Sequence, residues 1–280
     1  MYRDIVVPIT GNPSDKFAVN VALDLAAAHE ARLTVLELLS LPMPPATPYG
    51  LMPDMGMTDV YRELHQQALR NVNAWQDTLA GEKVAHEVRL VEAMFTEPTQ
   101  LAAHQAHCAD LVVMGGMTGD SSASDLARDF FAGMLMRSGR PVLVVPPHCK
   151  TDIPPRRIVV AWHPGSACAR AIHDALPLLQ QAEHVAVLVV DPVGGERGHG
   201  EKPGVDVAEH LVRHGVQADV RVMNSGGKAI ASVLLDHARD SRANMLVVGG
   251  YGHSRLREWA LGGVTRELLF SATLPVFYSH

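Results

Sequence analysis

Residues 243–250 read ANMLVVGG and residues 109–116 read ADLVVMGG, so one pattern occurs twice with an offset of 134 in the numbering. The same offset relates Pro141 and Pro275, which introduce the apolar runs near the end of each copy. The first residues of the chain, RDIVVPIT at 3–10, match RRIVVAWH at 156–163 with an offset of 153. Repeats of this kind indicate two copies of one structural unit. Since 153 minus 134 is 19, the first copy has about 19 additional residues between its first and fourth strands.

Each copy alternates apolar runs with amphipathic stretches. In the second copy the runs predict strands near 157–162, 184–190, 218–223, 244–249 and 275–279, with helices near 165–182, 204–215, 227–241 and 263–272. Continuous Val, Ile and Leu runs are typical of parallel strands buried on both faces. The alternation predicts a doubly wound α/β sheet, in which ligands bind beyond the carboxyl ends of the strands at the topological switch point.

The extra residues of the first copy are predicted to lie in LLSLPMPPATPYGLMPDMGMTDV, residues 38–60. This segment is rich in Pro, Met and Gly and shows no periodicity, which is typical of a long loop. A long loop inside a compact domain often serves as a lid or a contact surface. A plain insertion without a function is the alternative.

Charge and composition exclude several classes of protein. The net charge is −6, from 24 basic and 30 acidic residues, whereas a general nucleic-acid binder needs a basic face. No apolar stretch approaches the roughly 20 residues that span a bilayer, and the first residues lack the pattern of an export signal. The three cysteines are scattered, as in a reducing compartment. We therefore expect a cytoplasmic protein that binds neither nucleic acid nor membrane.

A glycine-rich stretch, GGYGHSRLREWALGGVTRELL at residues 249–269, follows the fourth strand of the second copy. Gly262 and Gly263 fall where a helix would otherwise continue, and each costs roughly 1 kcal/mol there relative to Ala. Glycines let a backbone approach a ligand closely. A helix that restarts at these residues directs free N–H groups and its positive dipole end toward an anion. The stretch therefore predicts a phosphate site.

The spacing of these glycines, G-x2-G-x9-G followed by a small residue, resembles the ATP-binding signature of the universal stress protein family. The resemblance covers the chain as two units, 1–147 and 155–280. It implies two tandem flavodoxin-like (Rossmann-like), doubly wound parallel five-stranded sheets that form a pseudo-dimer through their last strands, with a homodimer of the whole chain also open. Some family members bind ATP or AMP and others bind no nucleotide. The family acts in survival of stress, and no reaction is general to it.

The resemblance also implies a ligand site in the second copy, for ATP or AMP, with Mg²⁺ accompanying ATP. It assigns the phosphates and ribose to the glycines and to the residues that begin the last helix, and the base to the ends of the first two strands. No catalytic residue and no protein metal ligand is implied. The candidate binding residues are Ala161, Trp162, His163, Val189, Gly249, Gly252, His253, Arg255, Gly262, Gly263, Val264 and Thr265.

Both copies depart from the pattern of nucleotide-binding members. Those members carry Ser or Thr where this chain has Gly263, and Thr265 lies close enough in sequence to substitute. They also carry an acidic residue directly after the first strand, where the second copy has His163 and the first has Thr10. In the first copy, Thr118, Arg128 and Asp129 replace three of the four glycines, and Asp120, Asp125 and Asp129 make the loop acidic. We expect the first copy not to bind ATP.

Three functions remain open at this point. The first is a stress protein that binds adenine nucleotide mainly in the second copy without catalysing a reaction. The second is a tandem scaffold that binds no nucleotide and acts through protein contacts, with residues 38–60 as a candidate surface. The third is a weak ATPase or phosphotransferase, for which no general base is evident. His104 and His107, three apart in the sequence, lack an acidic or cysteine partner at metal-ligand spacing, so we predict no metal site there.

Overall fold

The computed structural model describes residues 1–41, 55–117, 122–149, 152–195, 201–251 and 263–280. Strands and helices alternate along the described chain, as the sequence predicts. The strands are β1 (Asp4–Pro8), β2 (Arg32–Leu41), β3 (His86–Met94), β4 (Leu111–Gly115), β5 (Val142–Val145), β6 (Arg157–Ala161), β7 (His184–Val190), β8 (Ala218–Met223), β9 (Met245–Gly249) and β10 (Val276–Ser279). The helices are α1 (Asp15–His29), α2 (Met55–Leu79), α3 (Pro98–Ala106), α4 (Ser122–Arg137), α5 (Ser166–Leu179), α6 (Val205–Arg213), α7 (Ile230–Asp240) and α8 (Gly263–Ser271).

The strands form one sheet in the order β3-β2-β1-β4-β5-β10-β9-β6-β7-β8. Neighbours pair in parallel within each half, and β5 and β10 pair antiparallel, with Val144 opposite Val276. The predicted fold class is therefore confirmed: two five-stranded, doubly wound units join through their last strands. The strands and helices predicted for the second copy agree closely with the structure, with small differences only at their ends.

The seam between the two halves is packed like a protein core. Phe131 of α4 and Tyr278 of β10 are fully buried, and their rings meet edge to face with centroids 4.9 Å apart. A Cβ atom added at Gly250 would lie 2.6 Å from Cδ2 of Leu135, so the chain after β9 passes directly against α4 of the other half. The Tyr2 hydroxyl donates to the backbone oxygen of Asp174 at 2.9 Å, again between halves. The halves therefore share their packing as well as their sheet.

The predicted loop at 38–60 is wrong at both ends. β2 continues to Leu41 and α2 already begins at Met55, while residues 42–54 lie outside the described chain. The interval from the start of β2 to the start of β3 is longer than the interval from the start of β7 to the start of β8, so the extra residues lie between the second and third strands. α2 has 25 residues, whereas its counterpart α6 has 9. The insertion thus mainly lengthens a helix.

His29, at the end of α1, is a buried group without a hydrogen-bond partner on either ring nitrogen in the described chain. Its ring lies 5.0 Å from the Tyr2 ring. Burial lowers the pKa of His29, and the positive N-terminal amino group lowers this pKa further. The unfolded chain therefore takes up a proton at His29 near its ordinary pKa of about 6.5, while the folded chain does so only at lower pH. Acid consequently favours the unfolded state.

We expect His29→Leu to reduce the loss of stability between pH 8 and pH 5. The variant lacks the imidazole that only the unfolded chain protonates readily. Between pH 8 and pH 5, its free energy of unfolding should therefore fall by about 1 kcal/mol less than that of the wild type. Urea denaturation at both pH values measures this difference. His184→Leu, at the exposed start of β7, is the matched control and should behave like the wild type. An equal loss in wild type and His29→Leu would contradict the assignment.

Candidate functional site

The topological switch point of the second half lies between β6 and β9. β6 pairs in parallel with β7 on one side and with β9 on the other, so the connections from β6 and β9 leave the sheet in opposite directions. The same arrangement recurs in the first half between β1 and β4. A crevice opens at the carboxyl ends of such strands, and this is where open α/β sheets bind ligands. Of the predicted site residues, Ala161 ends β6 and Gly249 ends β9, and Gly115, the counterpart of Gly249 in the first half, ends β4.

Gly249, the last residue of β9, permits a close contact with the start of α5. A Cβ atom added there would lie 2.6 Å from the backbone nitrogen of Cys168 and 2.8 Å from the carbonyl carbon of Ala167. In the first half, a Cβ atom added at Gly115 would lie 2.7 Å from the Ser14 Oγ. Both glycines are therefore required for packing the sheet against the helix that follows the first strand. This requirement explains why Gly115 is present in the copy that has lost the other glycines.

The two halves differ in the residue that lies beside the loop after the first strand and accepts hydrogen bonds from it. In the first half, Asp15 is buried and accepts hydrogen bonds from the Thr10 backbone nitrogen at 2.9 Å, the Thr10 hydroxyl at 3.0 Å and the Asn12 backbone nitrogen at 3.2 Å. Burial raises the pKa of Asp15, and these hydrogen bonds oppose the rise. Asp15 thus holds its own loop together. Sequence reasoning missed this residue because it looked for an acid directly after the strand.

Cys168 occupies the corresponding position in the second half, at the same offset of 153 that relates the two first strands. Burial raises the pKa of the Cys168 thiol, while hydrogen bonds from the backbone at His163 and Gly249 oppose the rise. The sulfur therefore lies between the ends of β6 and β9, in the floor of the crevice. A thiol thus replaces an acidic group at this position of the second crevice.

The largest difference between the two crevices is the start of the fourth helix. α8 begins at Gly263, which corresponds to Asp129 at the offset of 134, whereas α4 already begins at Ser122, about two turns earlier. The backbone N–H groups of Arg128 and Asp129 lie inside α4, where carbonyl oxygens of the same helix accept their hydrogen bonds. Those of the first turn of α8 have no helical acceptor. Loss of the paired glycines thus lets a continuous helix form in the first half.

The residues at the start of α8 differ in accessibility. Gly263 is exposed, and a Cβ atom added to it would meet no atom within 4 Å. Val264 is 36% exposed. Thr265 is only 5% exposed and lies on the buried face of α8 with Leu268 and Leu269. The first two residues of α8 are therefore exposed to solvent, while the Thr265 side chain faces the protein interior.

The residues predicted for the base side are brought to the end of β6. Ala161 is its last residue, and Trp162 is partly buried and packs on the core. His163 is exposed, with its Nδ1 atom 3.1 Å from the backbone oxygen of Pro164. Val189 is fully buried, and its Cγ2 atom would lie 3.0 Å from a Cβ atom on Gly204. The structure therefore does not bring the Val189 side chain to the crevice.

The middle of the glycine-rich stretch is not described, so the predicted residues Gly252, His253, Arg255 and Gly262 lie outside the described chain. The first residues of the glycine-rich stretch, up to Tyr251, are described. Tyr251 has a positive φ of 59° and meets the His280 ring edge to face, with centroids 6.0 Å apart. Burial raises the pKa of Tyr251 to about 12, and the charges of Arg128 and Asp129 also act on it. The entrance to the second crevice thus lies against α4 of the first half.

Comparison with known families supplies the family of the chain. The model of the universal stress protein family matches residues 1–146 and again residues 155–278. The chain belongs to the universal stress protein family. A search of curated proteins found no match. The two matched segments correspond to the two halves of the sheet, so this universal stress protein is built from two tandem family units.

Solved structures support the same fold for this universal stress protein. A universal stress protein from Archaeoglobus fulgidus is similar at 14% identity, covering 99% of this chain and 97% of that one, with a TM-score of 0.68. A structure from Pseudomonas aeruginosa UCBPP-PA14, named for the same family, is similar at 16% identity, covering 99% and 93%, with a TM-score of 0.57. At these identities the likeness concerns the fold alone.

Within the described ranges, no group of three or more His, Cys, Asp or Glu side chains is placed to hold a metal ion. Among the described helices of this universal stress protein, none combines the length and apolar character needed to cross a membrane.

Proposed function

We propose that this protein binds an adenine nucleotide, ATP or AMP, in its second half and acts in the stress response through that binding rather than through a defined reaction. The observation that carries the proposal is the exposed start of α8 at Gly263, because α8 is the helix that follows β9 in the chain and β9 pairs with β6 at the switch point. The glycine spacing of the family signature in the same stretch of sequence supports the proposal. Helix N-termini bind phosphate through their free N–H groups and dipole.

The phosphates would bind at Gly263 and Val264, whose N–H groups lie in the first turn of α8. The residues of this turn, Gly263, Val264 and Thr265, carry no carboxylate, while the equivalent place in the first half carries Asp129, whose side chain is 70% exposed. Since a carboxylate close to a phosphate repels it, the second half is the favourable one. Mg²⁺ would accompany ATP through the phosphate oxygens and water, in keeping with its usual preference.

The ribose and base would lie toward Ala161, Trp162 and His163 at the end of β6. His163 is exposed and its imidazole can donate or accept a hydrogen bond, which replaces the carboxylate of other nucleotide binders. Trp162 packs on the core and forms part of the wall. The Val189 side chain is buried, so it can support this wall by packing but does not line its surface.

One experiment tests the proposal against the scaffold alternative. The purified protein is denatured and the released small molecules are identified by mass spectrometry, and the ligand-free protein is then titrated with ATP and with AMP by calorimetry. We expect adenine nucleotide to bind with a stoichiometry near one per chain. Absence of both released nucleotide and binding heat up to millimolar concentration would exclude the proposal and leave the scaffold function. Two sites per chain would contradict the expectation that the first half does not bind ATP.

Gly263→Ser is expected to strengthen nucleotide affinity by about three- to tenfold. The added Cβ atom meets no atom within 4 Å, and the serine hydroxyl can donate a hydrogen bond to phosphate, which contributes about 0.5–1.5 kcal/mol. Calorimetric titration measures the change. Gly263→Ala is the matched control because it adds the Cβ atom without the hydroxyl. If Ala strengthens binding as much as Ser, the hydroxyl is not the cause.

A further inference from the structure

The outer strand of the second half, β8, has an open edge. Among the described strands, β3 and β8 end the sheet, so each has a described neighbour on one side only. The Asp191 N–H donates to the Met223 backbone oxygen at 2.9 Å, which places the backbone groups of Met223 toward β7. Because these groups alternate along a strand, those of Arg221 and Asp219 also face β7, and those of Val220 and Val222 face outward. β8 therefore presents backbone donors and acceptors to a further strand.

Apolar side chains accompany this open edge. α6 and β8 enclose an open groove of about 330 Å³, and its apolar lining comes from Val205, Ala208, Val212 and Val220. Val212 is 60% exposed and Val222 is 52% exposed. Val207, Ala208 and Leu211 of α6 are already buried, whereas Val212, on the groove side of the same helix, stays largely exposed within the described chain. A further strand and helix at this edge would bury Val212 and Val222.

The charges on β8 differ from those on β3 in one respect. Both strands carry an acid and an arginine at alternate positions, Glu87 and Arg89 in β3 and Asp219 and Arg221 in β8. Glu87 forms an ion pair with Arg89 at 3.0 Å and another with Arg32. Asp219 and Arg221 are both exposed, and within the described chain neither forms an ion pair. The charges of β8 are therefore available to a partner, whereas those of β3 are already paired.

We propose that β8 is an interface between two copies of this chain, which pair antiparallel with Val220 opposite the partner's Val220. This register places Asp219 opposite the partner's Arg221, and Arg221 opposite the partner's Asp219. Because the pairing is two-fold symmetric, the Asp219–Arg221 contact occurs twice, once from each copy of the chain. The outward backbone groups of Val220 and Val222 then bond across the interface, and Val212 is buried beside the partner's α6. The proposal is independent of nucleotide binding.

The register is tested by charge exchange, using sedimentation velocity between about 1 and 100 µM. The wild type should show a concentration-dependent dimer with twice the 30.2 kDa mass of one chain. Asp219→Arg and Arg221→Asp should each weaken dimerisation at least tenfold, because each places like charges opposite one another. The double variant Asp219→Arg/Arg221→Asp restores opposite charges and should return to within about threefold of the wild type. Val212→Glu should also weaken the dimer.

Glu87→Arg on β3 is the matched control and should leave the dimer intact. All of these positions are at the surface, and circular dichroism verifies folding of each variant. A wild type that stays monomeric across this range would overturn the proposal. So would a dimer that survives Asp219→Arg, a double variant that does not recover, or a dimer that Glu87→Arg abolishes instead, which would place the interface at β3.

Discussion

Gly263→Asp is expected to weaken adenine-nucleotide affinity at least about 100-fold while the protein remains as stable as the wild type. The substitution places in α8 the residue that the first half has at Asp129. A carboxylate at this position occupies the free N–H groups of the first turn and repels phosphate. At about 4 Å and an effective dielectric constant near 20, such repulsion amounts to about 4 kcal/mol. Since a change of about 1.4 kcal/mol alters affinity tenfold, a 100-fold loss is a conservative expectation.

Stability should be unaffected because the site has room for the side chain and the helix favours it. A Cβ atom at Gly263 meets nothing within 4 Å, and an acidic residue in the first turn of a helix is favourable by about 0.3–1 kcal/mol. Calorimetric titration and urea denaturation measure the two quantities. Gly263→Asn is the neutral control of the same shape and should lose far less affinity. Equal losses for Asp and Asn would mean that size, and not charge, controls the site.

Phe131→Ala is expected to lower the free energy of unfolding by about 3–5 kcal/mol, the usual range for a buried phenylalanine. Phe131 is fully buried at the seam, and its ring meets that of Tyr278 from the other half. The substitution would leave a cavity between α4 and β10 and remove an aromatic contact. Equilibrium urea denaturation followed by circular dichroism measures the change.

Met136→Ala is the control for this variant, because Met136 lies in the same helix but is 50% exposed. We expect it to change the free energy of unfolding by less than about 0.5 kcal/mol. A loss below about 1 kcal/mol in Phe131→Ala would show that the seam does not contribute the packing that its burial indicates.

The elements of the second half were predictable because each apolar run there is short and is followed by glycine, proline or polar residues. The segment at 38–60 was not, because its proline and methionine content hides where the helix begins. No proline follows Pro53 before α2 ends, so the helical start at Met55 is compatible with the sequence, but periodicity alone does not fix it. Composition describes a segment as a whole, whereas a helix boundary depends on individual residues.

The candidate site, too, was predictable from the sequence only in part. The sequence indicates which half keeps its glycines, and the structure adds that the other half replaces them with a continuous α4. Two facts needed coordinates because they depend on residues distant in sequence. Gly249 is required by its contact with the start of α5, and Thr265 lies on the inner face of α8. The role of Asp15 was within reach, since Asp15 and Cys168 hold equivalent positions in the repeat.

The antiparallel pairing of β5 with β10 has a consequence for assembly, because both strands belong to one polypeptide. Association of the two halves is unimolecular, and the short connection between them keeps their effective concentration high, whatever the concentration of the protein. Dilution therefore does not separate them, as it would separate two identical subunits. Covalent linkage also frees each half from matching the other residue for residue. One half can replace its paired glycines with a continuous helix while its packing continues to support the other half.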